Sequence, residues 1–113
     1  ALSLKELLML LKFDGRAPIT FPSETDIRSS VASLTPAGNG FLVLEKSPSV
    51  YMQAAVCDDG WFDVEYRAGS ITEHYEGSHR IDDRLLNELL ISFLDGSDRW
   101  QERINWKKLV LQS

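Results

Sequence analysis

The chain has 113 residues, one cysteine and a formal net charge of −5. That length suffices for one domain with its own core, and the single Cys57 excludes an internal disulfide. The acidic balance disfavours generic nucleic-acid binding, which needs clustered Lys and Arg; it would favour a basic partner, although mild acidity more often serves solubility alone. No run of about 18 apolar residues is present, so no membrane-spanning helix is expected. The first residues, Ala1 to Glu6, lack a basic region followed by a cleavage site and do not read as a signal peptide. With the lone cysteine, this suits a reducing compartment and a cytoplasmic location.

In chain order, Ser3 to Glu6 has the form of a capping box. Leu4, Leu7, Leu8 and Leu11 follow at helical spacing and predict a helix from Leu4 to Lys12. Leu2, Met9, Leu10 and Phe13 make it apolar almost all round, so it is buried on two sides or forms part of an interface. Ala17 to Phe21 reads as extended, and Pro18 and Pro22 limit it to a sheet edge. Ser23 caps a second helix, Glu24 to Leu34, with Glu24 and Asp26 in its first turn and Ile27, Val31 and Leu34 on its buried side. Thr35 to Gly40 breaks the chain. Phe41 to Lys46 is the first long strand, and Ser47 to Ser49 turns it.

Val50 to Cys57 and Trp61 to Arg67 are two strand-like runs around Asp58-Asp59-Gly60. A two-residue turn would mix Val56 with Asp63 and Ala54 with Glu65. A three-residue loop pairs Val56 with Phe62, Ala54 with Val64 and Met52 with Tyr66, so one face is apolar. The other face then carries Tyr51, Gln53, Ala55, Cys57, Trp61, Asp63, Glu65 and Arg67. A one-residue slip exchanges the faces, so clean segregation selects the three-residue loop. Gly60 fits the left-handed position that closes it.

Ile71 to Glu76 reads as the last strand of a four-strand meander. Matching Ile71 and Tyr75 to the apolar face sends Thr72, His74 and Glu76 to the charged one. Glu73 spoils the alternation, which makes this strand an edge. Asp82 caps the clearest helix, Asp83 to Leu94, with an Ile81–Leu86 staple. Leu85, Leu86, Leu89, Leu90, Phe93 and Leu94 form a broad stripe that would cover the apolar sheet face, and Gly96 stops it. Asp98 with Gln101 can cap a short turn carrying Trp100. Trp106 to Leu111 fits helix or strand equally. The expected fold is α+β, an antiparallel meander of four strands, or five, with helices packed on it.

The charged face carries the candidate chemistry. His74 with Asp63 or Glu65 is an acid–base pairing that a small hydrolase or isomerase would use, but on a wet sheet it is more often a solvated charge cluster. A metal site needs three or four convergent ligands, for which His74, Glu65 and Asp63 would be the minimum; His79 lies in a loop, and no HExxH or paired-Cys pattern is present. Cys57 sits beside Asp58 and Asp59, which disfavour the thiolate a nucleophile requires. Gly38 to Gly40 is a turn, too far from any Lys to be a phosphate loop. Neither a catalytic residue, a metal nor a cofactor is assigned. Tyr51, Gln53, Trp61, Asp63, Glu65, Arg67 and His74 together look instead like a protein interface, because Trp, Tyr and Arg are its usual anchors. The competing arrangement has the N-terminal helix covering this face.

Val64-Glu65-Tyr66-Arg67, followed by His74-Tyr75, an amphipathic helix, Gly96-Ser97-Asp98, Trp100 and Trp106, resembles small α+β proteins of bacteria. Some of these are grouped with the immunity proteins that neutralise a neighbouring toxin. The resemblance covers about the last half of the chain. It implies a cytoplasmic binding protein without catalysis and transfers no individual functional residue. Apart from the resemblance, the chain can be a monomer, or a structural subunit or homodimer that uses the sheet edge or the N-terminal leucine-rich helix.

Overall fold

The structure, a computed structural model, describes residues 9–110. Within them the chain forms strand β1 (Leu10–Phe13), strand β2 (Ile19–Thr20), helix α1 (Glu24–Ala32), then strands β3 (Phe41–Ser47), β4 (Val50–Val56), β5 (Phe62–Ala68) and β6 (His74–Gly77). Helices α2 (Asp83–Asp95) and α3 (Arg99–Arg103) follow, and strand β7 (Trp106–Lys108) ends the series. The strands form one antiparallel sheet in the order β2-β1-β3-β4-β5-β6-β7. The fold is α+β as the pattern predicts, but the sheet has seven strands rather than four or five.

The central hairpin has the predicted register, with Val56 opposite Phe62, Ala54 opposite Val64 and Met52 opposite Tyr66. The Gly60 amide donates to the Cys57 carbonyl at 2.9 Å and the Cys57 amide to the Trp61 carbonyl at 2.7 Å. Gly60 adopts φ +86°, the left-handed value the loop requires. Gly60→Ala is therefore expected to cost about 1–2 kcal/mol, read as a lower urea midpoint at unchanged slope. A Cβ there would meet nothing within 4 Å, so the loss would come from backbone conformation and not from a clash.

Pairing carries this face across the sheet. Leu11, Leu44, Met52, Tyr66 and Tyr75 form one row, and Phe13, Leu42, Ala54 and Val64 the next. Leu86, Leu89, Leu90 and Phe93 of α2 and Ile27 and Val31 of α1 share a single core with these rows, Tyr66 packing at its margin and Tyr75 lying outside it. Both helices start as their sequences dictate. Ser23 and Asp26 form a reciprocal capping box, the Asp82 carboxylate accepts from the Leu85 amide at 2.9 Å, and Gly96 closes α2 at φ +82°.

Four expectations need correction. Leu10, Leu11 and Lys12 are strand, not the end of a helix from Leu4; residues 4–8 of that helix lie outside the described residues. A strand there sends Leu11 and Phe13 into the core and Lys12 to solvent, and pairing with both β2 and β3 outweighs the helical spacing of the leucines. The last meander strand starts at His74. Ile71 is 59% exposed in a turn where the Glu73 amide donates to the Ser70 carbonyl at 3.0 Å. That strand is no edge, because β7 pairs with it. Asp98 precedes α3 without a side-chain cap. The Ser92 hydroxyl, buried on α2, accepts the Trp100 amide instead at 3.1 Å.

Candidate functional site

The register that buries one face presents the other as three cross-strand rows. Leu10, Glu45, Tyr51, Arg67 and His74 make the first. Lys12, Val43, Gln53, Glu65, Glu76 and Lys107 make the second. Phe41, Ala55 and Asp63 make the third. Six of the seven predicted interface residues therefore lie on this face, and Thr72 falls in the turn before β6.

Glu65 is the hub of the middle. Its Oε2 accepts from Gln53 Nε2 at 2.9 Å, and its Oε1 lies 3.0 Å from His74 Nε2. The His74 ring meets the Tyr51 ring edge-on at 6.2 Å. Arg67 stands between Tyr51 and His74 in its row, and its buried Nε has no hydrogen-bond partner among the described residues. At the far end of the first row, Lys12 Nζ reaches the nearly buried Glu45 carboxylate at 2.6 Å.

Beside this network Ala55 leaves a gap between larger neighbours. The gap opens a trough of about 330 Å³ walled by Phe41, Gln53, Asp63 and Glu65. Phe41 is 41% exposed. An apolar wall next to two carboxylates suits a Lys or Arg side chain, whose stem is apolar and whose head is charged. Phe41 was not among the sequence-predicted residues. The alternation of β3, Phe41-Leu42-Val43-Leu44, held the signal, because the inward Leu42 and Leu44 put Phe41 on the outer face.

Trp61 stands apart from the trough. It precedes β5 and lines a second hollow, of about 340 Å³, with His79, Arg80, Ile81, Leu85 and Arg103. The cause is the bridge between Phe62 and Ile81, whose two amide–carbonyl bonds draw residues 79–82 alongside. The hollow and the trough adjoin through Arg80. Its guanidinium is 2.9 Å from Asp59 and 3.8 Å from Asp63. The Asp59 carboxyl is held low by the Trp61 amide first and Arg80 second.

Cys57 donates its thiol hydrogen to Asp63 Oδ2 at 3.3 Å. Its thiol is pushed up by desolvation first and by Asp63 next. The sequence neighbours that matter are thus Asp63 across the hairpin and, less, Asp59; Asp58 plays no part. Among the described residues no group of three His, Cys, Asp or Glu side chains could hold a metal ion. No described helix is long and apolar enough to cross a membrane.

The opposite end of the sheet gathers aromatic rings. Tyr66 stacks on Tyr75 at 4.7 Å and 13° and meets Trp100 and Trp106 edge-on at 4.6 and 4.7 Å. The Tyr75 hydroxyl donates to Glu73 Oε2 at 2.5 Å. That bond pushes the Tyr75 phenol up to about 12 and holds the Glu73 carboxyl below its usual range. The two signs are opposite. The neutral phenol's contribution to stability is intact below its ordinary value of 10 and is lost as pH rises through about 12. The Glu73 contribution is present above the ordinary carboxylate range and is lost as pH falls through its lowered value. Absorbance titration should show two late-ionising tyrosines, Tyr75 through its bond to Glu73 and Tyr66 mainly through burial, and Glu73→Gln should return Tyr75 toward 10.

The fold and this surface define a class: an α+β domain with one covered and one largely polar sheet face. Comparison with protein-family models, curated proteins and solved structures finds no match for the chain.

Proposed function

We propose that the chain is a cytoplasmic protein-binding module whose outer sheet face captures a basic protein, as an immunity-type inhibitor captures a toxin domain. The observation that carries this reading is the trough beside Ala55, where Phe41 faces Asp63 and Glu65. A partner's Lys or Arg would lay its stem on Phe41 and its head between the carboxylates. The net charge of −5 draws such a partner in. Tyr51 adds apolar contact on the same face, and Arg67 is available to a partner carboxylate. Trp61 joins only if the partner wraps past Arg80 into the second hollow.

The protein encoded beside this chain's gene is the first partner to test, by titration of one purified protein with the other. Tight binding that weakens with salt supports the reading. Absence of binding to it, together with a neighbouring operon devoted to metabolism, counts against the immunity assignment.

A second reading rests on the contact between His74 and Glu65, the acid–base pair of a small hydrolase or isomerase. His74 does not line the trough that Glu65 lines, so a substrate there would touch the carboxylate and not the imidazole. Turnover abolished by His74→Ala with the fold retained would favour this reading. A third reading is a homodimer through the outer face. Size-exclusion chromatography with light scattering separates it from a monomeric binder.

A further inference from the structure

At the aromatic end of the sheet Phe93 and Trp100 belong to the core, 3% and 6% exposed, while Tyr66 and Tyr75 are only half-buried. Tyr66, Tyr75, Phe93 and Trp100 line an open hollow of about 340 Å³, with Glu73 and Asp98 also on its wall. We propose that this hollow is a binding site for an alkylammonium group, a function separate from that of the outer sheet face.

Aromatic faces attract cations through the ring quadrupole, and quaternary ammonium groups gain most because they are weakly hydrated. The protein's own cations already use these rings. Lys46 Nζ stands 4.5 Å from the centre of Phe93, and Lys108 Nζ stands 6.0 Å from that of Tyr75. The walls are held in place before any ligand arrives. Tyr75 is fixed by its stack on Tyr66 and its bond to Glu73. Trp100 is fixed by its amide bond to Ser92 and by the Trp106 indole N–H, which donates to its carbonyl at 3.3 Å. Preorganised walls lower the ordering cost of binding.

The hollow also carries Lys46 and Arg67, so a cation simply added to it would meet like charge. Exchange removes that objection. Lys46 lies at the β-bulge between Glu45 and Ser47 and makes no ion pair among the described residues. Its head can swing into water while the ligand takes its place over Phe93. The charge of the hollow is then unchanged, and Lys46 acts as a built-in competitor.

The test titrates the full chain with choline, as a free ammonium, and with a short peptide bearing Nε-trimethyllysine, as a chain-borne one. Tryptophan fluorescence and amide resonances of Tyr66, Tyr75 and Trp100 report binding. The neutral isostere 3,3-dimethylbutan-1-ol is the control. Either cation should bind, more tightly than the alcohol, and the tighter of the two identifies the source. Lys46→Met keeps the apolar stem and removes the competitor, so it should tighten binding roughly threefold, the size of an exposed cation–π contact. Glu73→Gln should weaken it. Equal binding of the neutral alcohol, no response to either cation, or no gain from Lys46→Met overturns the proposal.

Discussion

Leu89→Ala is expected to destabilise the fold by about 3 kcal/mol, within the 2–5 kcal/mol range of buried Leu to Ala changes. Leu89 lies on the inner side of α2 and is completely buried, as are Leu86 and Leu90 beside it. Sheet rows on one side and α1 on the other leave little room for collapse around the lost atoms, so a cavity remains. Urea unfolding followed by circular dichroism measures the change. The midpoint should fall while the slope holds. Leu85→Ala, on the half-buried flank of the same helix, should cost clearly less, because part of that side chain already meets water. Equal losses at the two positions would mean that α2 is not seated as the structure shows.

Asp63→Lys is expected to slow association with the basic partner by roughly tenfold at low salt, since reversal of a charge at an interface acts mainly on the encounter rate. Asp63 is exposed and sits at the mouth of the trough, so the substitution need not disturb the core. It would also bring a cation toward Arg80, now 3.8 Å away. The rate difference should shrink as salt screens the field. Stopped-flow or biosensor kinetics at two ionic strengths read both effects. Trp61→Ala makes an informative companion. A loss above about 2 kcal/mol of binding, as expected of a central anchor, would show that the partner spans the Arg80 corner and occupies both hollows. Wild-type binding by Trp61→Ala together with slowed binding by Asp63→Lys would confine the partner to the outer face. Wild-type behaviour of both variants would remove this face as the site.

The sequence by itself determined the features governed by local chemistry and period. The hairpin register followed from segregating Met52, Ala54, Val56, Phe62, Val64 and Tyr66 from Gln53, Asp63 and Glu65, because a period of two permits only one face assignment. Ser23, Asp82 and Gly96 marked helix ends because a cap is a bond or a backbone angle within a few residues. The approach of His74 to Glu65 was legible for the same reason, through one more strand pairing. Only the tertiary structure decided what depends on distant partners. The Leu10–Phe13 segment carries leucines that suit a helix, and it is a strand because β3 and β2 offer it backbone bonds on both sides. Trp106–Lys108, open between helix and strand, is settled by the free edge of β6. The Phe62–Ile81 bridge sets Trp61 apart from the trough across a gap of nearly twenty residues. Period and capping act over a few residues, whereas these placements are set by ladder bonds and packing between segments far apart in the chain, which no local pattern encodes.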